Sequence, residues 1–305
     1  MKQRPFSGTL FALGAFSVWG FLPVYWKQLQ PVTPFEILCH RILWSCLFLC
    51  LIISLQKRWP EVATIARAPG NLKKLSLSGL LVGFNWFVYI WAVNSGHVVE
   101  TSLGYYICPM VNVLMGVLLL GERFRRGQLL AILLAFGGVV YSLAAYGDLP
   151  LFALTLAVSF ALYGYARKAI VVAPIPGLLI ETIVLLVPAL IYLGYRQVVF
   201  GSLFLSQLEI SLWLVGAGVA TSVPLLCFSA AARILNLSTI GILQYLAPSI
   251  AFVLGVYVYG EPFDRHSLIT FILIWAAVVC FSLESLWWVR RQKRSAVATI
   301  ADQAR

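Results

Sequence analysis

Long apolar runs dominate the chain and alternate with short polar segments. Ten of these runs are close to 20 residues long, the length with which an α-helix crosses a bilayer core of about 30 Å. They lie near residues 8–26, 34–55, 75–95, 100–120, 127–146, 149–166, 175–195, 209–231, 236–259 and 267–288. This pattern predicts an all-α integral membrane protein with ten transmembrane helices.

One of these stretches occurs twice in the chain. Residues Tyr105–Phe124 and Gln244–Phe263 align without a gap at an offset of 139 residues, and seven of their 20 positions are identical. Each copy has a proline near its start and ends abruptly in Gly-Glu, which is typical of a helix followed by its exit turn. A repeat of this length predicts that the protein consists of two related halves.

The number of predicted helices sets the orientation of the two halves. Five helices in each half is an odd number, so the second half enters the membrane from the opposite side and the repeat is inverted. We place the first five-helix repeat at residues 1–147 and the second at 148–290. Residues 291–305 form a basic cytoplasmic tail of small and polar residues, which we expect to be disordered.

The distribution of basic residues supports this orientation independently. If both termini are cytoplasmic, 18 of the 22 Lys and Arg residues lie in cytoplasmic segments, three lie in external loops, and Arg41 lies within a span. This is the distribution that the positive-inside rule favours. The net charge of +11 is therefore a topology signal that implies no nucleic-acid partner. With 61% hydrophobic residues and a mean hydropathy of +0.91, the composition excludes a soluble domain.

The second span contains the densest group of ionisable residues within any predicted helix. Glu36 and His40 are four residues apart and share a helical face, and Arg41 follows directly. Charges inside a bilayer cost several kcal/mol, so we expect these groups to face protein or water and to pair with each other. They either cap and snorkel near the external end of the helix or form a substrate or proton site open to the outer side.

Polar and aromatic residues also mark the third span. Asn85 and Tyr89 share a face, with Trp86 beside Asn85. An amide at this depth needs hydrogen-bond partners, which a substrate or a neighbouring helix can supply. Both interpretations, a binding residue and a contact between helices, therefore remain open.

The repeated stretch places a polar stripe on the fourth span. Tyr105, Pro109 and Asn112 follow one another at helical spacing, and the ninth span carries Gln244 and Pro248 at the corresponding positions. In an inverted-repeat transporter, two such stripes are expected to face a shared central cavity, where the prolines free backbone carbonyls. The alternative is that the stripes only pack helices together.

A second acidic residue, Glu181, lies within the seventh span and aligns with Glu36 at an offset of 145 residues. The inversion directs these two carboxyl groups toward opposite faces of the membrane. We expect Glu181 to be isolated in apolar surroundings, readily protonated, and therefore the proton-coupling residue. A neutral, hydrogen-bonded acid in a packed interface is the alternative.

Motifs for other kinds of chemistry are not found in the sequence. The six cysteines lie in predicted spans without a CxxC pair, the three histidines are scattered, and no P-loop or nucleophile motif occurs. We therefore predict no metal, no cofactor, no catalytic residue and no enzymatic activity. The expected partners are a small-molecule substrate, membrane lipids and, on the Ala- and Gly-rich fifth and sixth spans, a second copy of the chain.

Four segments together resemble the RarD family of EamA-type transporters, within the drug/metabolite transporter superfamily. They are EILCHRILWS in the second span, NWFVYIWAVN in the third, LGYYICPMVNVLMG in the fourth and AARILNLSTIGILQYLAPS entering the ninth. The resemblance implies a bacterial inner-membrane transporter, without a defined substrate. It points to these substrate-binding residues: Glu36, His40, Arg41, Asn85, Trp86, Tyr89, Tyr105, Tyr106, Pro109, Asn112, Gln244, Tyr245 and Pro248.

We therefore expect a secondary transporter of a small polar or amphipathic metabolite or drug. It would work by alternating access with proton coupling. A channel and a lipid scramblase are the alternatives. A channel would tolerate a continuous polar stripe, whereas here proline-bearing apolar segments interrupt the polar residues, which suits occlusion better.

Overall fold

The computed structural model describes residues 5–120, 125–168, 170, 172–232, 234–235 and 243–303. All regular structure within these residues is helical. The helices are α1 (Pro5–Lys27), α2 (Pro34–Leu55), α3 (Trp59–Arg67), α4 (Asn71–Asn94), α5 (Val98–Leu120), α6 (Arg126–Tyr146), α7 (Leu151–Lys168), α8 (Pro174–Val199), α9 (Leu208–Ala232), α10 (Leu246–Val253, continued by a π-helical turn Leu254–Val258) and α11 (Arg265–Gln303). The all-α prediction is confirmed.

Seven of the described helices are long and apolar enough to cross a membrane, namely α1, α2, α4, α6, α8, α9 and α11. The apolar helices α7 and α10 are shorter in their described parts. Helix α3 is a nine-residue surface helix with Val62 and Ile65 on its buried side. It lies in the connector that the sequence predicts between the second and third spans.

The helix boundaries agree with the predicted spans to within a few residues at most positions. Helix α2 begins at Pro34, as predicted, because the Thr33 side chain accepts a hydrogen bond from the backbone N–H of Glu36. Part of the predicted ninth span, residues 236–242, lies outside the described residues. Helix α11 continues through the segment 291–303, which the sequence predicts to be a disordered tail.

Short connections make neighbouring helices antiparallel and give the bundle two ends. The Asp148 end contains the turns at 28–33, 95–97 and 147–150, and the Arg125 end contains the connector 56–70. Helices α6 and α11 pack along each other between these ends.

At the Asp148 end, hydrogen bonds from the Ser267 backbone N–H and the Tyr146 hydroxyl lower the pKa of Asp264 to about 2.

The repeated Gly-Glu turn has a structural role in its second copy. Gly260 adopts a left-handed φ of 63°, and the Glu261 carboxylate accepts hydrogen bonds from the backbone N–H groups of Val98 and Val99 at 2.8 and 2.7 Å. A carboxylate at this position satisfies free N–H groups at the start of α5 and complements the helix dipole. The exit turn of one half thus caps a helix of the other half.

Helices α2 and α9 cross with their backbones in close contact at Gly218. A Cβ atom at this position would lie 2.5 Å from the carbonyl carbon and oxygen of Trp44. Because backbone atoms cannot give way without moving the helix, only glycine allows this approach. The crossing brings Thr221, one turn further along α9, to the polar side chains of α2.

We predict that Gly218→Ala lowers the free energy of unfolding by about 1–3 kcal/mol, the usual range for overpacking. Gly137→Ala is the matched control, because a Cβ atom at Gly137 would contact nothing within 4 Å. Thermal denaturation of both purified variants in detergent provides the measurement. Equal melting temperatures for the two variants would contradict the tight crossing.

Candidate functional site

A buried arginine on α2 lies among several helices of the bundle. The Arg41 side chain is 4% exposed, and its Nε donates a hydrogen bond of 2.9 Å to the Thr221 hydroxyl on α9. Its guanidinium carbon lies 4.1 Å from the ring centroid of Trp86 and 5.2 Å from that of Trp26. Both distances are typical of cation–π contacts. We call this group, together with Tyr89 and Tyr105, the Arg41 cluster.

The two tyrosines of the Arg41 cluster extend its aromatic surroundings. The rings of Tyr89 on α4 and Tyr105 on α5 are 5.8 Å apart, and both belong to the same buried apolar cluster as Trp26 and Trp86. Five helices therefore contribute to the cluster: α1, α2, α4, α5 and α9. The structure brings together Arg41, Trp86, Tyr89 and Tyr105 among the residues that the sequence singles out.

Glu36 is paired, but not with the neighbours that the sequence predicts. Its carboxylate accepts a hydrogen bond of 2.6 Å from the Ser202 hydroxyl and lies 3.3 Å from Nε of Arg196, in the last turn of α8. The predicted pairing of Glu36 with His40 and Arg41 is therefore wrong. The reason is tertiary, because the end of α8 packs against the start of α2 and provides a cation there.

His40 has a different environment from both of its charged neighbours. Its ring lies against the ring of Phe204, with 4.7 Å between the centroids. Its Nδ1 atom is buried and has no hydrogen-bond partner among the described residues. The three ionisable residues of α2 thus point to three separate environments.

Glu181 is fully buried but is not isolated. Its carboxylate lies 3.2 Å from Nη1 of Arg167 and accepts a hydrogen bond of 2.6 Å from the Ser78 hydroxyl, while the Tyr163 hydroxyl lies 3.5 Å away. The expected isolation of Glu181 in apolar surroundings is therefore wrong. Helix α4 approaches closely at Gly79, where a Cβ atom would lie 3.1 Å from the Glu181 carbonyl oxygen, and the last turn of α7 supplies the arginine.

The two glutamates form ion pairs toward opposite ends of the bundle. Arg196 and Glu181 are 15 residues apart on the same helix, which corresponds to ~22 Å along its axis. The Glu36–Arg196 pair lies at the Asp148 end, and the Glu181–Arg167 pair lies toward the Arg125 end. Buried pairs of this kind are held by hydrogen bonds as well as by charge, as Ser202 and Ser78 show here.

Asn85 is used in a contact between helices. Its amide nitrogen donates to the Leu156 carbonyl at 3.1 Å and to the Ser159 hydroxyl at 2.9 Å, both on α7. This geometry favours the alternative interpretation of Asn85, in which the amide joins two helices. Its role in substrate binding remains a prediction.

The polar and aromatic residues of the repeated stretch lie in several environments, and their role in a shared cavity remains a prediction. Tyr106 stacks on Tyr245 with 6.1 Å between the ring centroids, and its hydroxyl lies 2.7 Å from that of Ser249. Both rings belong to an apolar cluster between α5, α6, α7, α10 and α11 rather than to the Arg41 cluster. Pro109 and Pro248 are buried, Gln244 is half-buried before α10, and Asn112 is exposed near Cys108.

Sequence reasoning missed the residues that complete these sites. They are Trp26, Ser78, Tyr163, Arg167, Arg196, Ser202 and Thr221. The signal that could have identified two of them is the need for a cation beside each buried carboxylate. Arg167 and Arg196 each lie in the last turn of an apolar helix, within reach of a neighbouring helix.

In the described part of the chain, no group of three or more His, Cys, Asp and Glu side chains could hold a metal ion.

Comparisons with known proteins identify the class of this bundle. The profile of the EamA-like transporter family matches residues 6–144 and again residues 150–283. The chain therefore belongs to the EamA-like transporter family, and we describe it as a multi-pass membrane transporter.

Similar proteins occur in several bacteria. Protein RarD of Salmonella typhimurium is 44% identical over 286 residues, which cover 93% of this chain and 97% of the relative. The uncharacterized transporter YojE of Bacillus subtilis is 40% identical over 293 residues, covering 94% of this chain and 97% of the relative. These relatives confirm the RarD resemblance. A crystal structure with 21% identity matches with a TM-score of 0.59 over 92% of this chain and 98% of the other, which supports the fold.

We predict that Arg196→Met lowers the free energy of unfolding by about 1–3 kcal/mol, because it leaves the buried Glu36 carboxylate without its cation. Arg265→Met, at the exposed start of α11, is the control and is expected to have little effect. Adding Glu36→Gln to Arg196→Met should recover much of the loss in denaturation experiments. A double variant as unstable as the single variant would contradict the pairing.

Proposed function

We propose that the chain is a secondary active transporter that moves a small polar or amphipathic metabolite or drug across the bacterial cytoplasmic membrane. The observation that carries this proposal is the arrangement of the buried charges. Two ion pairs close opposite ends of the bundle, and the Arg41 cluster lies between them on α2 and its neighbours. A central polar site between two closures is what transport by alternating access requires.

Ten transmembrane helices in two inverted halves form the architecture of this proposal. The seven long apolar helices are joined by α5, α7 and α10, so that α1, α2, α4, α5 and α6 form the first half. The two matches to the family profile, at residues 6–144 and 150–283, support this division. Residues 1–147 and 148–290 are then the two repeats.

The packing of the helices also supports a pseudo-twofold relation. Under this relation α1 corresponds to α7, α2 to α8, α4 to α9, α5 to α10 and α6 to α11. The contacts between the halves follow this correspondence. Helix α1 packs on α10 and α5 on α7, α1 on α9 and α4 on α7, and α2 on α9 and α4 on α8. Helices α2 and α8, α5 and α10, and α6 and α11 contact their own counterparts. Tyr106 and Tyr245, which occupy equivalent repeat positions, stack on each other as residues near such an axis would.

Opening of either end would require one ion pair to separate. The Glu36–Arg196 pair joins α2 to the end of α8, and the Glu181–Arg167 pair joins α8 to the end of α7. Separating a buried pair is unfavourable unless water reaches the charges. Opening one end admits that water, whereas the pair at the other end stays buried and closed. This difference would favour states in which only one end is open.

Protonation of Glu181 is the coupling step of the proposed mechanism. A neutral carboxyl group loses the Coulomb attraction to Arg167, although it can still form hydrogen bonds to Ser78 and Tyr163. Binding a proton would therefore release α7 from α8 at the Arg125 end. Glu36 has its own arginine and serine, so its ion pair is the corresponding closure at the Asp148 end.

The environment of the transporter follows from its exposed surfaces and basic residues. We place both termini and the connector 56–70 in the cytoplasm, with membrane lipids around the bundle. Helices α6 and α11 expose large apolar side chains, including Leu133, Phe136 and Ile272. These helices would face lipid or a second copy in a homodimer.

Labelling of single cysteines tests this topology. Asp148→Cys should react with a membrane-impermeant maleimide added to intact cells, because position 148 is exposed at the proposed external end. Ala66→Cys, exposed on α3, should react only after the cells are opened. The reverse pattern would overturn the proposed orientation.

Glu181→Gln mimics the protonated acid and tests the coupling. A solute that shows counterflow with the wild-type protein in proteoliposomes, found by screening labelled metabolites, serves as the probe. The variant should exchange this solute at close to the wild-type rate but should lose accumulation driven by a pH difference. Glu209→Gln, at an exposed glutamate on α9, is the control. Accumulation by Glu181→Gln under a pH difference alone would contradict the coupling role.

A further inference from the structure

We propose that the transported solute carries a carboxylate that binds to Arg41, and an apolar or aromatic part that packs against the rings of the Arg41 cluster. This inference rests on the transport function proposed above and specifies its substrate class.

The first observation is that Arg41 has no acidic partner. Both buried glutamates, Glu36 and Glu181, are paired with arginines, at 3.3 and 3.2 Å. In the described part of the chain, no carboxylate lies within ion-pair distance of Arg41, which is as deeply buried as the glutamates. Charged side chains at membrane depth normally pair with each other or belong to a substrate pathway. The positive charge of Arg41 is therefore available to a ligand.

The second observation is the chemistry of the polar atoms near Arg41. Buried Nη1 of Arg41 and Nε1 of Trp26 have no hydrogen-bond partner among the described residues. Arginine and tryptophan side chains can only donate hydrogen bonds. The hydroxyl groups of Ser45, one turn along α2, and of Ser222, next to Thr221, are also buried without a partner. The two nitrogen atoms can only donate, and the hydroxyl groups can donate as well as accept, so this group matches an acceptor-rich anion better than a cation.

The third observation concerns the orientation of the guanidinium. Trp86 contacts the guanidinium by a cation–π interaction, and Thr221 accepts from its Nε atom. These contacts orient the group while leaving Nη1 free to donate. A carboxylate is the group that a guanidinium binds with the best geometry. The surrounding rings of Trp26, Trp86, Tyr89 and Tyr105 provide apolar surface for the remainder of the molecule.

A matched set of small molecules tests the charge preference directly. Phenylacetate, phenylacetamide and phenethylamine share a ring and a two-carbon unit but are anionic, neutral and cationic. At millimolar concentration, phenylacetate should raise the melting temperature of the purified protein by several degrees, and the other two should have little effect. Indole-3-acetate and its amide extend the comparison to a larger ring.

Variants of Arg41 assign the effect to this residue. Arg41→Met should abolish the shift caused by phenylacetate, and Arg41→Lys should retain a smaller shift with the same preference for the acid. Without added acid, Arg41→Met should be at least as thermostable as the wild type, because it removes an unpaired buried charge. Arg265→Met, at an exposed arginine, should keep the full shift. If Arg41→Met cannot be purified, the phenylacetate-induced shift in melting temperature of Arg41→Lys, compared with that of the wild type, still tests the assignment to Arg41.

Three results would overturn the inference: equal stabilisation by the amide or the amine, an acid-induced shift that persists in Arg41→Met, or no acid-specific shift with either ring. The transport proposal fails separately. If the protein binds the acids specifically but shows no counterflow of any solute, the result supports the anion site and contradicts the transport function. If a non-anionic solute shows counterflow and this counterflow persists in Arg41→Met, the result supports the transport function and contradicts the anion site.

Discussion

Charge that is buried inside an apolar helical bundle must be compensated by other parts of the protein, and this requirement organises the centre of the molecule. Glu36 and Glu181 are compensated by arginines from the ends of other helices, together with serine hydroxyls. Arg41 receives one hydroxyl and two aromatic faces but no anion among the described residues. The compensated charges would close the bundle, and the uncompensated one is suited to bind a ligand.

This arrangement depends on close approaches between backbones. Gly218 allows α9 to lie directly on α2, and Gly79 allows α4 to lie on α8 beside Glu181. With little side-chain volume between the helices, short polar groups such as Thr221 and Ser78 reach the buried charges. In a membrane, where helix association relies on packing and hydrogen bonds, small residues and polar contacts act together in this way.

The two halves of the chain are interleaved rather than separate. Most helices of the first half pack on helices of the second, and Glu261 caps α5 across the boundary. Neither half therefore buries its polar groups alone. A rearrangement that moves the first half against the second would act on the Glu36–Arg196 pair, which joins α2 to α8, and on the hydrogen bond from Ser78 of α4 to Glu181 of α8.

The sequence by itself determined the all-helical class, most helix boundaries and the family, because apolar length and repeated motifs are local properties of the chain. It also singled out Glu36, Arg41 and Glu181 as candidates, since ionisable residues within apolar runs are conspicuous. Only the tertiary structure decided their partners. No periodicity in the sequence links Arg196 to Glu36 or Arg167 to Glu181, and helix packing brings each arginine to its carboxylate. For the same reason, Tyr105 and Tyr106, adjacent in the chain, belong to different clusters, because neighbouring residues on a helix point about 100° apart.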